Sequence, residues 1–287
     1  MSPCWARTHP GRKDGLDRHP NDGTSVREWR MLLDHPLVSQ RIFYPRPTDL
    51  EPDLVVDVGD GIRLGCYVRH GSPQSGIVVH FHGNGELASE YAAHHAGLFL
   101  DLGVSVCFVE YRGYGRSIGT PALAAMRGDG EKVVRALGVD PGKVVAFGRS
   151  LGSLYAIELA DRLPGIVGVV VESGIADLAE TQIMREAFAR VSQSEEQLAQ
   201  ELASEFDLQR KRAAYRGASL VLHTEHDQLL ERSHADRLHA WAGAKEKRLV
   251  VFPSGNHNTI LLANYQEYLH EVKEFLHRVG VAHAPVE

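Results

Sequence analysis

The sequence is poor in cysteine and has no excess of positive charge. Its 287 residues include three cysteines, Cys4, Cys66 and Cys107, too few for the disulfide framework of a small secreted domain. The 31 lysines and arginines are outnumbered by 37 aspartates and glutamates, which gives a net charge of −6. Proteins that bind nucleic acid usually carry a basic face. We therefore expect a reducing compartment and no nucleic-acid partner.

Long apolar runs are absent as well. No run reaches the roughly 18 apolar residues that a membrane-spanning helix needs. The first 25 residues also lack the apolar stretch of about 7–15 residues that a secretory signal contains. We therefore expect a cytoplasmic protein with no membrane span, in which residues 1–25 form a flexible tail and residues 26–287 form one domain. The sequence leaves the oligomeric state open.

Histidine is the residue type that the sequence has in surplus, with 16 copies. Such a surplus fits either a metal-binding protein or one in which a single histidine does chemistry. His80 and His82 have the spacing of neighbours on one face of a strand, but no group of Cys, His or Asp accompanies them at the spacing of metal ligands. We therefore expect no metal site and no cofactor.

From about residue 40, short β-branched runs alternate with longer segments of helical spacing. Several runs are apolar without alternation, as in strands that are covered on both faces. Strands alternating with helices predict an α/β fold with a mostly parallel, doubly wound sheet. Gly59-Asp60-Gly61 predicts a hairpin, so we expect an antiparallel N-terminal edge. The predicted strands are 54–58, 62–68, 77–81, 104–109, 143–147, 166–171, 219–223 and 248–252, and the predicted helices are 87–100, 122–137, 151–163, 233–242 and 258–279.

Residues 178–216 interrupt this alternation, because they are charged and free of strand signals. Two runs of apolar residues at every fourth position predict two amphipathic helices. Long insertions in compact domains are commonly functional, so we expect a small inserted helical cap over a site. The alternative is a surface excursion packed on the domain. The apolar positions are Ile183, Ala187 and Val191, then Leu198, Leu202 and Phe206.

Two serines lie in the pattern Gly-x-Ser-x-Gly, in which a sharp turn between a strand and a helix presents the hydroxyl as a nucleophile. Ser150 follows a predicted strand and precedes a helical stripe that begins at Leu151. Ser117 follows a loop and precedes Thr120-Pro121, which interrupts a helix. We therefore predict Ser150 as the nucleophile and Ser117 as a loop or turn residue.

A serine hydroxyl needs a base to take its proton and a carboxylate to orient that base. Asp227 and His257 each lie just past the C-terminal end of a predicted strand, where open parallel sheets place their ligands. We predict Asp227 as the acid and His257 as the base. Glu225 and Glu172 are alternatives for the acid. The competing histidines for the base are His223, His234, His239, His270 and His277.

Attack by a serine on a carbonyl group creates an oxyanion, for which preset backbone amides are expected. Leu151 would supply one N–H, at the positive end of its helix. The turn His82-Gly83-Asn84-Gly85 follows another predicted strand, and the Asn84 N–H is the best candidate for the second donor. The alternative is a plain glycine-rich turn.

Over about residues 40 to 280 the chain resembles the α/β-hydrolase superfamily. The turn at Asn84, the box Tyr111-Arg112-Gly113-Tyr114-Gly115, Ser150, Asp227 and His257 follow in that superfamily's order. The combination is similar to a group that includes Bem46-like hydrolases, serine aminopeptidases of the S33 type and acyl-protein thioesterases. That group usually has Asp directly before the tyrosine-rich box. This chain has Glu110 there, which puts a supporting contact in doubt.

The resemblance implies a serine hydrolase that cleaves small-molecule carboxylic esters or thioesters, with short to medium acyl groups, through an acyl-enzyme. Ile183, Met184, Phe188 and Val191 would form an apolar wall for the acyl group, or else pack the cap onto the domain. An S33-like aminopeptidase or amidase is the first alternative, since glutamates of the insertion could hold a free amine. A catalytically inactive binding module is the second.

Overall fold

The computed structural model describes residues 32–191 and 195–283, so the predicted tail at residues 1–25 lies outside the described part of the chain. The described residues form eight strands: β1 (Leu54–Gly59), β2 (Ile62–Arg69), β3 (Ile77–Phe81), β4 (Ser105–Val109), β5 (Val144–Arg149), β6 (Gly168–Glu172), β7 (Ala218–Thr224) and β8 (Lys247–Phe252). They make one sheet in the order β1-β2-β4-β3-β5-β6-β7-β8. β2 runs antiparallel to both of its neighbours, and the other pairs are parallel. The predicted α/β fold is confirmed, including its antiparallel N-terminal edge.

The hairpin between β1 and β2 follows from its two turn residues. Asp60 and Gly61 have φ angles of 55° and 74°, and left-handed backbone at both positions matches the twist of a two-residue hairpin. At the centre of the sheet the strands are apolar without alternation, and every residue of β3, β4, β5 and β6 is buried. Helices therefore cover both faces of the sheet.

Within the described residues, the α-helices are α1 (Pro36–Ile42), α2 (Ala88–His94), α3 (Ala96–Asp101), α4 (Asp129–Leu137), α5 (Gly152–Arg162), α6 (Gln182–Phe188), α7 (Glu195–Glu205), α8 (Leu208–Ala214), α9 (Arg232–Trp241), α10 (Ile260–Ala263) and α11 (Tyr265–Arg278). Short 3-10 helices span Leu32–Asp34 and Pro141–Lys143. Three predictions differ from this. The helices expected at 87–100 and 258–279 are each divided in two, and the one expected at 122–137 begins only at Asp129.

The buried side chains form two clusters, one on each face of the sheet. Neighbouring residues of β3 belong to different clusters, Val78 to one and Val79 to the other. The first face is covered by α4, α5, α8 and α9, and the second by α2, α3 and α11. The C-terminal ends of the parallel strands meet along one edge between these layers.

The segment 178–216 carries three described helices rather than the two that we predicted. α6 packs against α1, and α7 packs against the 3-10 helix at Leu32–Asp34. Arg41 forms an ion pair with Glu186, and the Leu33 amide donates to Glu201 Oε2 at 3.1 Å. α8 instead packs on α5 and α9 beside the sheet. It is therefore the crossover helix that leads into β7.

Among residues 32–191 and 195–283, no helix is long and apolar enough to cross a membrane.

Candidate active site

The turn after β5 presents Ser150 in a strained backbone conformation. Its φ angle is 50°, in the left-handed region that a residue other than glycine seldom adopts. The flanking glycines allow this turn to be tight. A Cβ on Gly148 would lie 2.4 Å from the Gly152 carbonyl oxygen, and one on Gly152 would lie 2.1 Å from that of Phe81. The pattern Gly-x-Ser-x-Gly is therefore required sterically here, because no side chain fits at either end.

Three side chains from different strand ends form one hydrogen-bonded chain. His257 Nε2 lies 2.9 Å from Ser150 Oγ, and His257 Nδ1 lies 2.7 Å from Asp227 Oδ2. The other carboxylate oxygen of Asp227 accepts the amides of Leu229 and Leu230, each at 2.9 Å. Asp227 and His257 are both buried. The geometry is that of a nucleophile, a base and an orienting carboxylate.

The environment of Asp227 keeps its carboxylate ionised. Burial opposes the charge, but the hydrogen bond from His257 and the two backbone amides outweigh it, so the pKa of Asp227 lies below its ordinary value. An ionised acceptor at Nδ1 fixes a proton on that nitrogen. With the proton on Nδ1, the Nε2 atom of His257 is free to accept the proton of Ser150.

The alternative residues have other partners. Glu225 is exposed and pairs with Arg232 at 2.9 Å. Glu172 contacts Arg149 Nε at 3.1 Å. His223 is buried, with Nε2 3.1 Å from the Leu230 carbonyl oxygen. The second serine, Ser117, lies in a loop and accepts the amide of Gly65 on β2 at 2.9 Å.

The predicted oxyanion donors lie on two neighbouring turns. Leu151 directly precedes α5, and Asn84 follows β3, the strand next to β5. Neither backbone N–H donates to another group among the described residues. The Asn84 side chain anchors its turn, since Nδ2 donates to the Ile42 carbonyl at 2.5 Å and Oδ1 accepts Tyr114 Oη–H at 3.2 Å. Two backbone amides without a partner in the described part of the chain therefore lie on turns of adjacent strands, and their role as oxyanion donors stays a prediction.

Comparison with known proteins places this chain in a family. A family model described as serine aminopeptidase, S33, matches residues 72–211. An uncharacterised protein of Mycobacterium tuberculosis is 31% identical over 235 residues, which are 80% of each chain. Alpha/beta hydrolase domain-containing protein 17C of Xenopus tropicalis is 26% identical over 75% of this chain and 66% of its own length. The chain belongs to the α/β-hydrolase superfamily.

Solved structures share the fold of this hydrolase at low sequence identity. The Pyrococcus furiosus esterase Pf2001 has a TM-score of 0.66 and 18% identity, over 82% of this chain and 98% of the esterase. A monoacylglycerol lipase of Paleococcus ferrophilus has a TM-score of 0.60 and 20% identity, over 76% of this chain and 99% of the lipase. At these identities the likeness extends to the fold alone.

The hydrolase also contains a buried charged network that we did not predict. Arg149, which directly precedes Ser150, forms ion pairs with Glu86 and Glu172. Its Nη2 donates to the His257 carbonyl at 2.8 Å, and Glu86 accepts the Gly83 amide at 2.6 Å. The network thus connects the turns that carry Asn84, Ser150 and His257. The only signal in the sequence was the position of Arg149 inside the serine motif.

Burial acts against the charges of this network, and the ion pairs compensate. For Arg149, desolvation opposes protonation, but Glu86, Tyr91 and Glu172 raise its pKa above the ordinary value. For Glu86, desolvation is outweighed chiefly by Arg149, and the pKa is lowered. For Glu172, desolvation prevails and the pKa is raised. Arg149 is therefore a cation shared by Glu172, which is buried, and Glu86, which is partly buried.

Glu110 occupies the position where the similar group usually has Asp. Its carboxylate lies 2.9 Å from His82 Nε2 and accepts the Ala88 amide at 3.1 Å. Both side chains of the Glu110–His82 pair are fully buried, and Tyr111 Oη donates to the His82 carbonyl at 2.6 Å. The departure from Asp therefore falls on a contact beneath the Asn84 turn.

The four cap residues that we predicted to line a substrate pocket are in packed positions. Met184 and Phe188 belong to the main buried cluster, with 1% and 2% of their surface exposed. Ile183 and Val191 are partly buried and pack against the same cluster. These contacts are those of cap packing, so a role in holding an acyl group stays a prediction.

Among the described residues, no group of three or more His, Cys, Asp or Glu side chains is arranged to hold a metal ion. His80 and His82, which share the spacing of strand neighbours, are instead packed among aromatic rings. Their environment is that of core residues.

Proposed function

We propose that this protein is a serine hydrolase of carboxylic esters or thioesters with short to medium acyl groups, and that it acts on small molecules. The observation that carries the proposal is the hydrogen-bonded chain from Ser150 Oγ through His257 to Asp227, with distances of 2.9 and 2.7 Å. Both links fall within the reach that proton transfer requires.

In the proposed reaction the Ser150 oxygen forms a bond to the carbonyl carbon while its proton passes to His257 Nε2. The negative charge that develops on the carbonyl oxygen is held by the N–H groups of Asn84 and Leu151. The carbon–oxygen or carbon–sulfur bond then breaks, and the leaving alcohol or thiol takes the proton from His257. A water molecule repeats these steps on the acyl-enzyme, releasing the carboxylic acid and restoring Ser150.

The charges of the cap favour ester over aminopeptidase chemistry, because capture of a free amine needs an available carboxylate. Five glutamates of the insertion have described side chains, and each of them already has a hydrogen-bond or ion-pair partner. Glu180 pairs with Arg237, Glu186 with Arg41 and Glu205 with Arg127, while Glu201 accepts the Leu33 amide and Glu196 lies 3.5 Å from Gln200 Nε2.

A fluorophosphonate probe tests the proposal directly. We expect it to label the wild-type protein and not Ser150→Ala, and we expect that substitution to lower kcat on p-nitrophenyl esters by roughly 10⁶. Ser117→Ala is the matched control, because its hydroxyl accepts the amide of Gly65 on β2 at 2.9 Å and, within the described residues, has no hydrogen bond with His257 or Asp227. It should keep both labelling and turnover.

A panel of p-nitrophenyl esters, acyl thioesters and aminoacyl-nitroanilides separates the alternatives. Preferential cleavage of the anilides would favour an aminopeptidase over our proposal. Absence of turnover and labelling in the wild type would favour a binding module. Labelling that persists in Ser150→Ala but disappears in Ser117→Ala would show that we chose the wrong serine.

A further inference from the structure

A cavity of about 410 Å³ lies on the second face of the sheet, away from the cap. Side chains of α2 and α3 form one wall, those of α10 and α11 form the other, and residues of β3, β5 and β6 form the floor. Its volume falls within the range of small-molecule sites. Among the described residues that line it are Arg149 and Asn258, the chain neighbours of Ser150 and His257, which do not line it themselves.

The walls contributed by α3, α10 and α11 include aliphatic side chains. Leu98 on α3, Leu261 on α10 and Val272 on α11 face it from both sides. Leu262 also lines it and is 76% exposed, so the cavity opens to solvent at α10. The walls therefore suit a hydrocarbon chain.

The arginine and the glutamates of the described lining already have partners. Arg149 uses Nε for Glu172, Nη1 for Glu86, and Nη2 for the His257 carbonyl and Asn258 Oδ1. Glu86 also accepts Tyr91 Oη–H at 3.0 Å, and Glu90 pairs with Arg46 at 2.8 Å. A charged ligand would find neither a free guanidinium nor a free carboxylate among these arginine and glutamate side chains.

Two histidines of the described lining have unmet hydrogen-bonding capacity. Nδ1 of His80 and Nδ1 of His95 are buried without a hydrogen-bond partner among the described residues. The ring of Tyr91 lies between them, with its centroid 4.5 Å from that of His80 and 4.9 Å from that of His95. His80 is 3% exposed. Burial, with the neighbouring cations, lowers the pKa of both imidazoles, so both rings are neutral near pH 7.

We propose that this cavity is a second binding site, separate from Ser150, for an uncharged aliphatic alcohol. The hydrocarbon chain would lie between the leucines and Val272, and the hydroxyl group would meet the free nitrogen of His80. A hydroxyl both donates and accepts, so it satisfies either tautomer of a neutral imidazole. The inference goes beyond the proposed hydrolase activity and does not depend on it.

The test uses 1-hexanol as the probe and ligand-observed NMR on the full-length protein. We expect saturable binding in the wild type and in Ser150→Ala. Sodium hexanoate and hexylammonium should bind at least tenfold more weakly, because they would bring an unpaired charge into the cavity. His80→Phe keeps an aromatic ring and removes the nitrogens, and it should weaken hexanol binding roughly three- to tenfold, the size of one neutral hydrogen bond.

Two variants of α3 check the location. Leu98→Trp fills the cavity from its wall, whereas Leu100→Trp places the same side chain on the same helix at a position outside the lining. Only Leu98→Trp should abolish hexanol binding, with thermal unfolding of both variants recorded to exclude misfolding.

The proposal would be overturned by the absence of saturable binding, by equal binding of hexanoate, or by binding that survives in folded Leu98→Trp. Binding that disappears when Ser150 carries a phosphonyl adduct would assign the alcohol to the catalytic pocket. If the adduct does not form at all, the proposed hydrolase activity fails while the Leu98→Trp result still decides the second site.

Discussion

The close approach of Gly152 to β3 gives the sharpest quantitative prediction. The α-carbon of Gly152 faces the end of β3, where a Cβ would lie 2.1 Å from the Phe81 carbonyl oxygen and 2.7 Å from that of His82. Both neighbours are backbone atoms and cannot rotate away. Because non-bonded atoms need roughly 3.5 Å, the substitution Gly152→Ala must move the serine turn and β3 apart by about 1 Å.

This displacement separates the two predicted oxyanion donors, since Leu151 moves with the serine turn and Asn84 moves with β3. A misplacement of about 1 Å in a catalytic site costs on the order of 10² in rate. We therefore expect Gly152→Ala to lower kcat on a p-nitrophenyl ester about a hundredfold. KM should change little, because the lost contacts form mainly in the transition state. Overpacking should also lower the free energy of unfolding by about 1–3 kcal/mol.

Gly97→Ala is the matched control, because it makes the same substitution on α3 where a Cβ would meet nothing within 4 Å. Alanine is favoured over glycine inside a helix by roughly 0.5–1 kcal/mol, so urea unfolding should show a small gain and kcat should be unchanged. Wild-type kcat in a Gly152→Ala protein that is folded would refute the idea that this contact sets the distance between the donors.

Two further predictions concern the polar groups of the site. Asp227→Asn should lower kcat by about 10⁴ with little effect on KM, because the base loses its orienting carboxylate; steady-state kinetics measure this, and a loss under tenfold would contradict the role. Arg149→Met should lower the free energy of urea unfolding by about 3–5 kcal/mol, because Glu86 and Glu172 lose their counter-ion, whereas Arg135→Met, with an exposed side chain, should cost under about 0.5 kcal/mol. Because the pKa of Glu86 is lowered in the fold, its ion pair with Arg149 adds to the free energy of unfolding at pH values above the ordinary pKa of glutamate. That contribution disappears as the pH falls through the lowered pKa of Glu86. If the difference in unfolding free energy between wild type and Arg149→Met grew on acidification, it would contradict this role.

The strands could be predicted from the sequence because burial on both faces leaves a local signature. All eight observed strands overlap the predicted β-branched runs, and the positions of Ser150, Asp227 and His257 just past strand ends explain why they meet. Parallel strands bring their C-terminal ends to one edge whatever the intervening loops do. Residue type and position after a strand were therefore enough to predict that these three side chains lie together, as their hydrogen bonds show.

The helices were predicted less well, for physical reasons that differ between them. α8 buries Lys211 and Arg212, which contact Glu158 and the Leu238 carbonyl. Its inward face therefore carries charges, and a search for apolar periodicity overlooks it. α1 has seven residues, too few for two turns of a pattern. Residues 123–128 belong to the segment of apolar spacing but form turns, where Asp34 Oδ1 accepts the Ala124 amide at 2.8 Å.

The network of Arg149 could not be read from the sequence because its partners are brought together only by the fold. Glu86 is 63 residues away along the chain and Glu172 lies on the next strand, paired in register with Arg149. A charged residue at the end of a strand looks solvent-exposed in a sequence, since isolated charges are seldom buried. Here two carboxylates make burial of the guanidinium tolerable, and the same guanidinium then reaches the His257 carbonyl at 2.8 Å. Residues that take part in chemistry occur in recognisable sequence motifs. Residues that position them, such as Arg149, need only lie at the right distance in the folded chain. The Arg149 network could therefore be found only in the structure.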